Sequence, residues 1–343
     1  MSRIAVALSG GIDSAVAALL LLNQGHEVIG ITGKMQCSED AELIVLNAQK
    51  VADKLGIQHV VVDVNKEFNE KIIKYFINSY KEGQTPNPCI MCNKYIKWGA
   101  IFDYALKEHQ VDYIATGHYA NIKKIGDFYQ LFPASDEHKD QLYFLFMLNQ
   151  MHLAKTIFPL SDYKKDKVRE LANIYNLPSK SAKESQDICF IKAPMTTKKY
   201  LNSVLPNQIG NFIEKNTGKI LGKHDGYWQF TIGQRKGIGI ASAKPLYVID
   251  IDSKTNSVIV GYKEDLENNF LELKDFYSSY PLRNNSFEAL VKIRYNMKAT
   301  LAKISISNSI QIEFTEPISG ITKGQACVIY DKEDGHLIGG GLI

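Results

Sequence analysis

At 343 residues, 45% hydrophobic and 22% charged, the chain has the make-up of a soluble globular protein with room for two or three domains. Its five cysteines are an odd number and too sparse for a disulfide-stapled scaffold, which leaves reactive or metal-binding thiols in a reducing compartment. A net charge of +3 permits a polyanionic partner without the basic excess of a dedicated nucleic-acid-binding domain. No apolar run reaches about 18 residues, and the opening "MSRIAVALSGG" lacks the sections of a secretory signal. A cytoplasmic chain with no membrane partner is therefore expected.

In chain order, the strand pattern "RIAVAL" leads into the helical "SAVAALLLLNQG", then strand "HEVIGIT", a helix from Ala41 to Leu55, strand "QHVVVDV" and a helix from Phe68 to Tyr80. A further helix from Tyr95 to Glu108 and the strand "VDYIAT" follow. Strands separated by helices of this length need crossover connections, so an α/β fold with a doubly wound parallel sheet is expected to residue 195 or so. Beyond residue 205 short alternating strands with glycine turns predict small β domains, and "KEDLENNFLELKD" reads as a seam between two of them.

Between the first strand and helix stands Ser9-Gly10-Gly11-Ile12-Asp13-Ser14. Glycines there bring backbone N–H groups and a helix N-terminus to an anion, and phosphate is the natural guest. Asp13 suits Mg²⁺ held between phosphates. The plainer alternative is a tight turn with Asp13 and Ser14 as helix caps. Neither a Walker loop nor a dinucleotide fingerprint is present.

Cys89 and Cys92 lie in "TPNPCIMCNK", where two prolines suggest a stiffened loop. Metal binding, disulfide redox chemistry and sulfur transfer all fit that spacing, although no second Cys-x-x-C or His pair completes a zinc set. Cys37 and Cys327 have no motif around them. The cluster "KKDKVR", 164–169, reads equally as a solvated helix face. In "GQRKGIG" the glycines around Arg235 and Lys236 either admit a phosphate or shape a β-turn.

The six-residue loop resembles the pyrophosphate (PP) loop of the ATP pyrophosphatases, the adenine nucleotide alpha hydrolase-like proteins. Together with "NPCIMCN", "ATGHYA", "KDQLYFL", "FPLSDYKKDKVRELA", "SQDICFI", "FTIGQRKGIGI", "KIRY" and "GQACVIYD", it makes the whole chain resemble the tRNA-specific 2-thiouridylases. The resemblance implies a PP-loop catalytic domain over 1–197, a central small β domain over 198–267 and a C-terminal, tRNA-binding β-barrel over 268–343. It implies ATP-dependent 2-thiolation of the wobble uridine, U34, in the anticodon stem-loop of tRNA, with Mg²⁺ and a persulfide sulfur donor protein. Cys189 would carry the persulfide and Cys92 would be the nucleophile, a thiolate eased by partial exposure near positive charge.

Carried over residue by residue, Ala7, Leu8, Ser9, Gly10, Gly11, Ile12, Asp13, Ser14, Met35 and Gly117 would bind ATP. Asn87, Pro88, Cys89, His118, Lys139, Asp140, Gln141, Arg294, Tyr295 and Gln325 would meet the tRNA. Cys89 stands where one branch of the family has aspartate. That departure leaves a second mechanism, with Cys89, Cys92 and Cys189 holding a [4Fe–4S] cluster. Small-molecule adenylation and non-catalytic sulfur trafficking are the competing functions.

Overall fold

The computed structural model describes residues 1–181, 188–192, 194–282 and 284–343. The first three residues of the "SQDICFI" motif lie outside them. The first domain is built on β1 (Arg3–Ala7), β2 (Glu27–Lys34), β3 (Gln58–Asp63) and β4 (Tyr113–Ala115). A hairpin, β5 (Asn121–Ile125) with β6 (Phe128–Phe132), follows, and then the short β7 (Thr156–Ile157). The sheet runs β3-β2-β1-β4-β7 with every pair parallel.

Alternation along β1 explains the two covered faces. Ile4 and Val6 enter one core with the helix Ile12–Asn23, and Ala5 enters the other with Ile31, Trp98 and Phe102. The helix Ile12–Asn23 is buried from Ser14 to Leu21, as its nearly all-apolar sequence demands. The helix Glu39–Leu55 is bounded by local chemistry: Ser38 caps it from the Ala41 N–H, acidic residues fill its first turn, and Gly56 takes the left-handed conformation at its end.

One expectation is corrected here. "TPNPCIMCNK" is not a loop throughout, because Asn87 caps and Pro88 opens a helix at that point. It runs Pro88–Cys92, passes through a π-helical stretch Asn93–Ile101 and ends as Phe102–His109. Both cysteines therefore sit in its first turns.

The central sheet contains β8 (Gly210–Glu214), β9 (Ile220–His224), β10 (Tyr247–Asp252) and β11 (Ser257–Gly261), in the order β10-β11-β8-β9. Phe212, Trp228 and Val258 share its core with Phe76 and Tyr80 of the first domain. The last domain holds β12 (Glu267–Leu273), β13 (Ser286–Lys292), β14 (Thr300–Ile306), β15 (Ile310–Ser319), β16 (Ala326–Tyr330) and β17 (Leu337–Leu342). They form an antiparallel sheet ordered β12-β15-β14-β13-β16-β17 that curls until Tyr277, just past β12, bridges Gly340 of β17. The expected seam is thus a short turn, Lys263–Leu266, followed by an edge strand of this barrel-like sheet.

All three units meet on the segment that leads into Cys89. Thr85 donates its N–H to Lys323 O (2.8 Å) and accepts at its own carbonyl from Gln325 Nε2 (2.7 Å). Its hydroxyl touches that of Thr231 at 3.4 Å. Arg294 ties the two β units together, donating to Ile232 O (3.2 Å), Gly320 O (2.6 Å) and Thr322 Oγ1 (2.8 Å). Losing a half-buried guanidinium with three acceptors should destabilise the fold by about 2–4 kcal/mol. Urea unfolding of Arg294→Met against the parent measures it.

Candidate functional site

The strand order reverses between β1 and β4, and a crevice opens at their carboxyl ends. A cavity of about 400 Å³ occupies it, lined by Ala7, Leu8, Ser9, Asp13 and Ser14 from the glycine loop and by Met35 after β2. Thr116, Gly117, His118 and Gln141 line it from the β4 side, and Pro88, Cys89, Cys92, Lys97 and Cys189 complete it. The two ends of the chain's cysteine pattern thereby converge on one volume.

The helix after the loop begins at Gly11 with no side-chain cap. Asp13 and Ser14 do not cap it, so its first N–H groups and its partial positive charge remain open to an anion. Ser14 Oγ instead donates to Gly11 O (3.1 Å) and accepts from Ser9 N (3.2 Å), bracing the loop. Gly10, at φ +72°, packs against Asn47, and Ile12 is buried. Gly117 is required by proximity, since a Cβ there would lie 2.7 Å from Asp13 C and from Ser14 N.

Asp13 departs from its expected role. Lys165 Nζ donates to its Oδ1 (2.7 Å) and Oδ2 (2.8 Å), and the Tyr119 hydroxyl donates to Oδ1 at 3.0 Å. With both oxygens engaged by donors, this carboxylate does not fit a Mg²⁺ ligand. Lys165 belongs to the cluster read as a solvated helix face, yet its side chain is only 6% exposed. Neither the charge pattern nor the helical period showed that one lysine of that run turns inward.

Cys92 is buried, whereas Cys89 and Cys189 reach solvent through the cavity. Burial pushes the Cys92 thiol up to about 12 and the Cys189 thiol up to about 11, and raises Cys89 as well. The easily ionised thiolate expected from the sequence is thus corrected: Cys92 is enclosed, and the cavity walls crowd Cys89 and Cys189 enough to disfavour the charged sulfur although both still reach solvent. Lys97 opposes burial at all three thiols. It lies five residues after Cys92 inside the π-helical stretch, a geometry no sequence periodicity marks.

Lys97 Nζ also lies 3.2 Å from His118 Nε2, while His118 Nδ1 is 2.7 Å from Thr116 Oγ1. An ammonium only donates, so Nε2 accepts and the ring proton sits on Nδ1. Burial, then Lys97, holds His118 well below its ordinary range, and the ring is neutral. Gln141 reaches the cavity and pairs with the Tyr119 backbone, N to O at 2.9 Å and Oε1 from N at 3.2 Å.

The other residues that the resemblance assigns to RNA lie elsewhere. Asn87 caps the cysteine helix, accepting from Cys89 N at 3.2 Å. Lys139 donates its N–H to Asp136 O (3.0 Å), and Asp140 accepts from Ala134 and Leu142 N–H, both at 3.1 Å. Tyr295 packs at a tilt on Phe144, 4.5 Å between centroids, and Arg294 and Gln325 belong to the domain junction described above.

An uncapped helix at the switch of a parallel sheet, facing three thiols, defines a nucleotide-binding α/β domain equipped for sulfur chemistry. Residues 2–193 match the family described as tRNA methyl transferase HUP domain, 198–262 its PRC-barrel domain and 269–343 an aminomethyltransferase beta-barrel domain. A tRNA-specific 2-thiouridylase, MnmA 1 of Clostridium botulinum (strain Loch Maree / Type A3), is 42% identical over 358 residues, covering 99% of each chain. MnmA 2 of the Hall strain is 41% identical over 354 residues, 99% of this chain and 98% of its own. The solved U34-tRNA thiolase NcsA from Methanococcus maripaludis, with its [4Fe-4S] cluster, overlaps 55% of this chain and 60% of its own at 20% identity. Its TM-score of 0.38 is too slight a likeness to bear on fold or function. The chain belongs to the tRNA-specific 2-thiouridylase family.

Two outcomes follow from the site's electrostatics. Iodoacetamide labelling of Cys92 and Cys189 in the native protein, read peptide by peptide, should be slow near about pH 7 and still climbing at about pH 10, because only the thiolate reacts. A plateau below about pH 8 would mean that the cavity does not hold the thiols protonated. Lys165→Met should destabilise the fold by about 3 kcal/mol by leaving Asp13 unpaired, and adding Asp13→Asn should restore about 1–3 kcal/mol of that in a double-mutant cycle.

Proposed function

We propose that the chain thiolates the wobble uridine of tRNA and that the reaction takes place in the cavity between the glycine loop and the three thiols. ATP-dependent 2-thiolation of tRNA is the activity of the family, and the chain is accordingly a sulfurtransferase. The single observation that carries the site assignment is that Cys92 and Cys189 line the same cavity as Ser9, Asp13 and Ser14. The matching family description speaks of methyl transfer, but thiols beside an anion-binding loop suit activation by ATP followed by attack of sulfur.

In this reading the open N-terminus of the Ile12–Asn23 helix and the N–H groups of the glycine loop receive the phosphates, and the wall around Met35 receives the adenine. The uracil O2 attacks the α-phosphorus of ATP and pyrophosphate leaves. The terminal sulfur of a persulfide on Cys189 then attacks C2, and the oxygen departs with AMP. Cys92, as thiolate, attacks the Cys189 sulfur and breaks the S–S bond. The outer sulfur stays on the pyrimidine, and a Cys92–Cys189 disulfide remains for an external thiol to reduce. Cys92 starts protonated and buried, so Lys97, the cation acting on all three thiols, offsets the cost of ionising it.

The base is expected to meet Asn87, Pro88 and Cys89 after leaving the anticodon stack, with His118 as a further contact to the tRNA. Lys139, Asp140, Gln141, Arg294, Tyr295 and Gln325 are assigned to the rest of the tRNA. For Arg294 and Gln325 this requires that RNA act at, or loosen, the domain junction they hold. We place the domain boundaries near residues 197 and 267, the sulfur source in a persulfide donor protein, and the enzyme in the cytoplasm.

Cys89 on the same cavity favours one second reading, in which it joins Cys92 and Cys189 as thiolate donors to a [4Fe–4S] cluster that would offer an iron site for exogenous sulfide. Purified protein, tRNA, ATP and a persulfide source should form 2-thiouridine, detected by nucleoside mass spectrometry. Cys189→Ser and Cys92→Ser should each abolish it while the fold is kept. Full activity in iron-free protein would remove the cluster reading, and thiolation by Cys189→Ser protein would remove the persulfide role.

A further inference from the structure

The segment "GQRKGIGIASAKP", 233–245, takes no part in the cavity. We propose that it is a contact surface for the phosphodiester backbone of the RNA substrate, which rests on the reading that RNA is the substrate. Arg235, Lys236 and Lys244 are exposed on it, and no acidic side chain falls between Ile232 and Leu246. Lys215, beside β8, and Lys323, reaching β10, are paired with Asp265 and Asp250. Arg235, Lys236 and Lys244 join no ion pair among the described residues.

The backbone is as suited to anions as the side chains. Among the described residues, no backbone N–H from Arg235 to Leu246 donates to a backbone carbonyl. Gly237 and Gly239 have φ of +79° and +76°, and nothing lies within 4 Å of a Cβ placed on Gly239. These glycines answer to the turn of the chain and not to crowding, and such turns point successive N–H groups to one side. A hollow of about 370 Å³ lies there, lined by Arg235, Gly237, Gly239, Ser242 and Lys244.

The surface is held by the fold. Ile238 and Leu246 are buried at 8% and 7% exposure, and Gln234 braces the turn through Thr231 N (3.1 Å) and Lys236 O (2.9 Å). Its root is also tied to the reaction centre. Thr231 touches Thr85, which precedes the cysteine helix, and Ile232 O accepts from Arg294. A polyanion gripped here is thus gripped by an element fixed to the segment carrying Cys89 and Cys92. Three cations and a row of free N–H groups match a phosphodiester chain, which presents one charge per nucleotide.

The test uses full-length protein and unmodified tRNA, with binding followed by fluorescence anisotropy between about 50 and 200 mM KCl. For R235Q/K236Q/K244Q the affinity should fall about 10- to 100-fold at the lower salt, and the slope of log K against log salt should become shallower by about 2 to 3. R235Q alone should lose about 1 of that slope. Binding of ATP, measured separately, should be unchanged and reports that the variants are folded. Wild-type and triple-variant slopes that coincide would overturn the proposal while leaving the thiolase reading in place. A wild-type protein that binds no tRNA would overturn both.

Discussion

The close approach of the turn after β4 to the loop after β1 is the constraint from which the site follows. Because β1 pairs with β2 on one side and β4 on the other, the chain leaves the sheet in opposite directions at neighbouring strand ends, and a crevice must open between them. Gly117 lets the β4 turn rest on the backbone of Asp13 and Ser14. That contact carries Thr116, His118 and Gln141 to the wall facing the glycine loop. Tyr119, on the same turn, reaches Asp13 and joins Lys165 in compensating its charge. The uncapped helix keeps its first N–H groups unspent at the crevice.

Opposite this wall, the cysteine helix presents its thiols in a state unlike that of a free cysteine. Burial favours the neutral sulfur, and Lys97 supplies the opposing charge. At Cys92, the buried thiol, this balance keeps the sulfur protonated in the resting structure. Lys97 is itself tethered to a neutral His118, so the cation, the imidazole and the thiols form one electrostatic unit. The π-helical stretch matters here because its wider turn brings position 97 back over position 92.

The β domains are mechanically continuous with the centre. Tyr143 donates to Ala326 O at 2.8 Å in a core shared by Trp98, Ile31, Val328 and Leu337. Phe76 and Tyr80 likewise belong to the core of the central sheet. Thr85 gathers contacts from both, immediately before the cysteine helix. Of the residues that a family resemblance gives to RNA, Gln325 fastens the segment that leads into Cys89, and Arg294 fastens the two β units to each other.

The alternation in "RIAVAL" and the apolar run after it determined a buried strand and a buried helix, since side-chain period and hydrophobicity are properties of the local chain. The loop Ser9–Ser14 read either as an anion site or as a tight turn with side-chain caps, and only the folded helix, begun at Gly11 without a side-chain cap, decided against the caps. The linear order also marked Cys92 and Cys189, but only through a family pattern of motifs and not through any local force. What the sequence left undetermined was every pairing across distance. Nothing near Lys165 announces Asp13, 152 residues away, because an inward lysine is chosen by the partner it finds. The cysteine stretch read as a loop through its prolines, while the structure uses Asn87 and Pro88 as cap and first turn once the helix has a core to pack on. Thiol acidity lies outside the local chain for the same reason: a sulfur's pKa is set by the walls around it, and those walls come from strands, turns and helices that only tertiary folding brings together.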